Sequence, residues 1–131
     1  KEPLAARLEA LQETLFIVQA HLGGLLFPER TGPVLTEQKV QELEETIEAI
    51  EKQLNPERGF LIPGSTPASA RLDYLRSVAR RVERNVFAAS KEYPVSPVVL
   101  QYLNRRSSYF FALARQAAAG QGVQEKHPRY E

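Results

Sequence analysis

At 131 residues with no cysteine, the chain is long enough for one domain with its own core, and it excludes disulfides, cysteine nucleophiles and thiolate metal sites, as suits a reducing compartment. No run nears the roughly 18–20 apolar residues of a membrane span and no basic-then-apolar segment opens the chain, so a soluble, cytoplasmic protein without membrane contact is expected. The net charge of +1 hides an asymmetry, since residues 1–65 hold 6 Lys and Arg against 11 Asp and Glu while residues 66–131 hold 11 against 5; this argues for a local anion site in the second half and against general nucleic-acid binding.

The first helix is predicted over about 3–26, where Leu4, Leu8, Leu11, Leu15, Val18, Leu22 and Leu25 recur at spacings of four and three, the pattern of an amphipathic bundle helix. Gly23-Gly24 loosen its end and Pro28 stops it. The second, about 36–54, has Thr36 as N-cap, Glu37 in the first turn and Val40, Leu43, Ile47, Ile50 and Leu54 as its apolar stripe. Its Glu-rich face reads as solvated surface, and Asn55-Pro56 ends it. Gly59 to Ser65 is a connector, apolar at Phe60-Leu61-Ile62 and turned by Pro63-Gly64. On residue type alone it reads as a buried crossover plugging the bundle end.

Thr66-Pro67 opens the third helix, about 66–90, as N-cap and first-turn proline. Its core face is Ala68, Leu72, Leu75, Ala79, Val82, Val86 and Ala89. Ser96-Pro97 repeats that opening for the fourth, about 96–119, with Leu100, Leu103, Phe110, Leu113, Ala114 and Ala117 inward. The tail from Gln121 reads as weakly ordered. Four helices joined by mostly short loops, with no strand alternation and no repeat, make one all-α domain, an antiparallel bundle.

Chemistry concentrates on the third and fourth helices. Arg76, Arg80 and Glu83 lie within about 60° of each other on a helix of 3.6 residues per turn. Guanidinium groups aligned this way can grip a polyphosphate bidentately; an Arg80–Glu83 ion pair within the helix is the plainer alternative. Asn104, Ser108 and Phe111 form a second stripe at spacings of four and three, whose plainer reading is a solvated face; Arg105 and Arg106 read as the same face or as an interface. His21 and His127 lack a second ligand at helical metal spacing, so no protein metal site is expected. There is no Gly-rich phosphate loop and no nucleophile elbow, so any catalysis rests on charge placement and binding.

Taken together, Phe60-Leu-Ile-Pro-Gly-Ser65, Arg76-x-x-x-Arg80-Arg81-x-Glu83-Arg84 and Tyr102-Leu-Asn-Arg-Arg-Ser-Ser-Tyr-Phe-Phe111 resemble the PduO-type ATP:cob(I)alamin adenosyltransferases. That family carries Phe-Ile-Leu-Pro-Gly-Gly, Arg-x-x-x-Arg-Arg-x-Glu-Arg and Tyr-Leu-Asn-Arg-Leu-Ser-Asp-x-Leu-Phe at the same spacing. Leu11-Gln12…Leu15-Phe16 and Gly122-Val123-x-Glu125 also resemble its opening helix and its tail. The resemblance implies a four- or five-helix, ferritin-like up-down bundle that assembles as a homotrimer with active sites between subunits. It implies ATP, Mg²⁺ and cobalamin as ligands: Co(I) attacks the 5′ carbon of ATP and triphosphate leaves. A reductase and a B12-dependent enzyme are the implied partners.

By position, Arg80, Glu83, Asn104 and Arg84 fall at the ATP, with Arg80 on phosphate. Phe60 and Phe111 fall at the corrin, as the apolar floor that displaces its lower axial ligand. Arg76 corresponds to a catalytic arginine that pairs with an N-terminal Asp of a neighbouring subunit. The chain departs from the family pattern at Ser65 for the second Gly, Asp73 where His is common, Gln19 for Gly and Ser108 for Asp. The family's N-terminal phosphate-binding loop and first helix have no counterpart in these residues; a chain trimmed at its N-terminus is expected to account for that and for the lack of any Met. A non-catalytic paralogue that binds nucleotide or corrinoid is the alternative implied by the departures.

Overall fold

The computed structural model describes residues 3–29, 32–54 and 60–130. They form four helices and, among the described residues, no strand: α1 (Leu4–Leu26), α2 (Glu37–Leu54), α3 (Pro67–Ala89) and α4 (Pro97–Gly120). The Asn55-Pro56 stop and the Gly59 start of the connector lie outside the described residues. Each helix is at least 18 residues long, yet none is long and apolar enough to cross a membrane.

Side-chain bonds between helices fix the directions. Near one end of the bundle the start of α3 meets the end of α4, through Asp73 and Arg115. Near the other, Glu83 of α3 meets Asn104 and Ser107 of α4, so the two run antiparallel. Arg7 Nη1 donates to Gln116 Oε1 at 3.0 Å, and His21 Nε2 accepts the Ser96 N–H at 2.9 Å at the opposite end, so α1 is also antiparallel to α4. α1 and α3 thus run in the same direction, opposite to α4.

The start of α3 is set locally. Thr66 accepts from Ser69 N at 3.1 Å while Ser69 Oγ accepts from Thr66 N at 3.0 Å, a reciprocal capping box just before Pro67 in the first turn. The turn ahead of it needs Gly64, whose φ of +87° lies in the left-handed region that side chains disfavour.

α4 is the central helix. It carries 12 buried residues against 3 in α1, because α2 and α3 both pack on it and α1 reaches it through Arg7–Gln116 and His21–Ser96. Leu103, Leu113 and Val99 are sealed almost completely. This is why the expected solvated face of α4 is wrong for Arg106, which is only 5% exposed; a helix surrounded on three sides has little face left for water. The reverse happens on α3, where Leu75 and Val82, expected in the core, remain partly exposed. They line an apolar groove of about 560 Å³ between α1 and α3, floored by Arg106 and Phe110, since α1 stands off from α3 there.

The tail is the second departure. Residues 121–130 are not loose: Ile62 N donates to the Lys126 carbonyl at 2.7 Å, His127 Nδ1 donates to the Phe60 carbonyl at 2.8 Å, and Glu125 pairs with Arg115. One backbone bond, one His127 side-chain bond and one charge pair fold it back across the connector.

Candidate active site

Glu83 is the polar hub between α3 and α4. Its carboxylate accepts from Asn104 Nδ2 at 2.9 Å and from Ser107 Oγ at 3.2 Å, and it forms no ion pair with Arg80. The intra-helical alternative therefore fails for a geometric reason: two neutral donors on α4 hold the carboxylate toward the helix interface. Asn104 Oδ1 in turn accepts from Arg105 Nε and Nη2 at 3.2 and 2.9 Å, and Arg105 Nη2 also donates to Ser108 Oγ at 3.1 Å. Ser108, where the family motif has Asp, thus receives a cation. One hydrogen-bonded run joins Glu83, Asn104, Arg105 and Ser108.

Arg80 and Arg84 stand exposed on α3 beside this run and make no hydrogen bond or ion pair among the described residues. Arg76 is half-buried, its guanidinium 5.3 Å from the centre of the Phe111 ring. A cation over an aromatic face gains electrostatically from the ring quadrupole. Arg115 lies over the same ring at 4.5 Å, so Phe111 sits among two guanidinium groups and is still 39% exposed. Phe60 is 80% exposed and Ile62 46%; the connector presents its apolar side chains to solvent, which corrects the buried-crossover reading. Its backbone bonds to the tail, rather than core burial, hold it.

The structure therefore brings Glu83 to Asn104 and Arg76 to Phe111, and ties the connector bearing Phe60 to the tail that meets Arg115. It leaves Arg80 and Arg84 exposed and without an ion pair among the described residues. Sequence reasoning missed Ser107, Arg115 and Glu125 as members of this region. Their pairing depends on the register of α3 against α4, which no single-helix periodicity contains. The lone signal was Asp73, noted as a departure: it pairs with Arg115 through both carboxylate oxygens at 2.9 Å.

Electrostatics sets this face apart. An open groove between α2 and α4 reaches about 690 Å³, but Glu37 and Glu44 line it beside Asn104 and Arg105, so its charge disfavours a phosphate. A second, of about 530 Å³, holds Tyr102 and Tyr109 and none of Arg76, Arg80 or Arg84. Arg80 and Arg84 of α3 lie outside both grooves, exposed and without an ion pair among the described residues. Deeper in, Arg106 is pushed below the usual guanidinium range by burial, which Tyr102 and Glu83 partly offset, and Tyr102 is pushed above the usual phenol range by burial, opposed by its hydrogen bond with Thr14. Among the described residues no group of three or more His, Cys, Asp or Glu is placed to hold a metal ion.

Known proteins match this chain across most of its length. The cobalamin adenosyltransferase family model matches residues 1–117. A corrinoid adenosyltransferase of Bacillus subtilis is 37% identical over 122 residues, covering 93% of this chain and 62% of that protein. One from Mus musculus is 39% identical over 108 residues, covering 82% of this chain and 42% of that protein; the chain thus spans less than two thirds of either relative. Among solved structures, a variant PduO-type ATP:corrinoid adenosyltransferase from Lactobacillus reuteri, complexed with cobalamin and ATP, superposes with a TM-score of 0.89 at 29% identity, over 96% of this chain and 70% of that one. The chain belongs to the cobalamin adenosyltransferase family.

Proposed function

We propose that the protein transfers the 5′-deoxyadenosyl group of ATP to Co(I) of cobalamin and releases triphosphate. The observation that carries this reading is the cluster on α3 and α4: Glu83 fixed to Asn104, with Arg80 and Arg84 unpaired alongside. A polyphosphate leaving group gains negative charge as the C–O bond breaks, and preorganised guanidinium groups stabilise that charge without proton transfer. Arg80 takes the phosphates with Arg84 beside it. Asn104, held by Glu83, contacts the nucleoside. Arg76, over Phe111, links the nucleotide side to the corrin side and is the second catalytic arginine.

Phe60 and Phe111 form the corrin floor. An apolar wall excludes water from the lower axial position, where a polar wall would offer a ligand. The cobalt(I) electron pair then forms the Co–C bond at the 5′ carbon as the C–O bond to triphosphate breaks. Mg²⁺ fits as a companion of the ATP phosphates rather than in a protein cage, since Glu83 is already committed to Asn104 and Ser107. The site is one open wall on this chain, with Phe60, Arg80 and Asn104 all exposed. A homotrimer with sites between subunits supplies the other wall, and a reductase must deliver Co(I). Zero cysteine suits the cytoplasm.

A second reading, a relative that binds without turning over, is favoured by one feature, Ser108 in place of the motif's Asp with Arg105 bonded to it. The deciding experiment is anaerobic: mix protein, ATP, Mg²⁺ and chemically reduced cob(I)alamin and follow the visible spectrum. Light-sensitive adenosylcobalamin is expected; binding of both ligands with no product supports the second reading.

A further inference from the structure

Arg115 sits where four parts of the fold converge. It is 7% exposed, bonds both oxygens of Asp73 on α3, pairs with Glu125 of the tail and stacks on Phe111 one turn back along α4. Glu125 is held by this pair alone, since its other carboxylate oxygen is buried without a partner among the described residues. The next residue, Lys126, accepts the Ile62 amide, and His127 bonds the Phe60 carbonyl. A continuous path of short contacts therefore runs from Phe111 through Arg115 and Glu125 to the backbone that carries Phe60. The two aromatics lie 51 positions apart in sequence and share this one anchor.

We infer that Arg115, clasped by Asp73 and Glu125, is a positioning residue that sets Phe111 and the Phe60 connector as one surface. The inference rests on the corrinoid reading for its consequence but not for its geometry. Two carboxylates on one buried guanidinium restrict its rotation as well as its place, because Nη2 donates to both oxygens of Asp73 while Glu125 faces a different nitrogen, Nε, as an ion pair. The fixed plane gives Phe111 a flat face to lie against. The tail, once pinned at Glu125, holds the connector through backbone bonds that no side-chain change on the connector would break. Asp73, which departs from the family motif, is the chain's own route to this arrangement.

The test is Glu125→Gln in the full chain, with Lys126→Ala as control, because Lys126 contributes only its carbonyl. Two quantities are read: hydrogen exchange at the Ile62 amide, and the KM values for cob(I)alamin and ATP. Losing a charge-assisted contact should speed Ile62 exchange roughly 10- to 100-fold, and misplacing the floor should raise the corrinoid KM by up to about 100-fold while the ATP KM stays put. Lys126→Ala should change neither. Unchanged Ile62 exchange in Glu125→Gln overturns the clasp whether or not the protein is active. Fast exchange with equal rises in both KM values, or an equal effect of Lys126→Ala, overturns the positioning role. Absence of any product from the parent protein counts against the corrinoid reading instead, and the exchange result still decides the clasp.

Discussion

Replacing Arg80 with Ala separates binding chemistry from folding more cleanly than any other change in this chain. The side chain is exposed and makes no hydrogen bond or ion pair among the described residues, so removing it takes nothing from the fold. Surface changes of that kind stay within about 0.5 kcal/mol of the parent. On the proposed chemistry the same guanidinium meets charge that grows on the leaving triphosphate, and deleting one such donor costs about 2.7–4 kcal/mol, or about 10²- to 10³-fold in kcat. Arg84→Ala, farther along the same exposed face, should cost less. The assay pairs thermal unfolding with the initial rate of adenosylcobalamin formation at saturating ATP. Unchanged unfolding with a rate loss of that size is expected. A rate within twofold of the parent would refute the assignment of Arg80 to the phosphates, and a large drop in unfolding temperature would refute the claim that it stands free.

Three further outcomes follow from the same geometry. Glu83→Ala removes the acceptor of two hydrogen bonds, so stability should fall by about 1–3 kcal/mol in denaturant titration, and the ATP KM should rise as Asn104 loses its anchor. Arg106→Leu replaces a buried cation whose Nε has no partner among the described residues; the variant should be neutral to about 3 kcal/mol more stable, and marked destabilisation would mean that the guanidinium has an anionic partner in the assembled protein. Tyr102 has a folded pKa raised above 10.0, so its contribution is fully present below pH 10 and is lost as pH rises through the folded value. Arg106, lowered below the usual guanidinium range by burial, has the opposite sign, its burial penalty being relieved as pH rises from its folded value to its unfolded one. Denaturant titrations from pH 8 to 11 should show Tyr102→Phe losing less stability at the alkaline end than the parent.

What the sequence disclosed divides along a physical line. Helix starts marked by Thr66-Pro67 and Ser96-Pro97 were legible because capping is local, and the stripe of α2 matched its buried Val40, Leu43, Ile47 and Ile50 because that helix uses a single face. α4 was misjudged at Arg106, read as solvated but buried because other helices cover several sides of α4, and Ser107 and Arg115 are buried on it as well. α1 and α3 erred the other way: Leu75 and Val82 follow helical periodicity, yet the groove between those helices leaves them open. At the site, Arg80 and Glu83 were found by spacing within one helix. Their separation into a free cation and a carboxylate turned to Asn104 was decided by α4, which the spacing could not contain. The tail's hold on residues 60–62 rests on the Ile62–Lys126 backbone bond and on His127 at the Phe60 carbonyl, a pairing far apart in sequence that no local pattern contains.

The central claim is the transfer itself, and its most direct test is the fate of the three phosphates. With reduced cobalamin, ATP and Mg²⁺ under anaerobic conditions, phosphorus NMR should show one intact triphosphate for each adenosylcobalamin formed, and none when cobalamin is omitted. Release of ADP and phosphate, or consumption of ATP without a cobalt–carbon product, would contradict it.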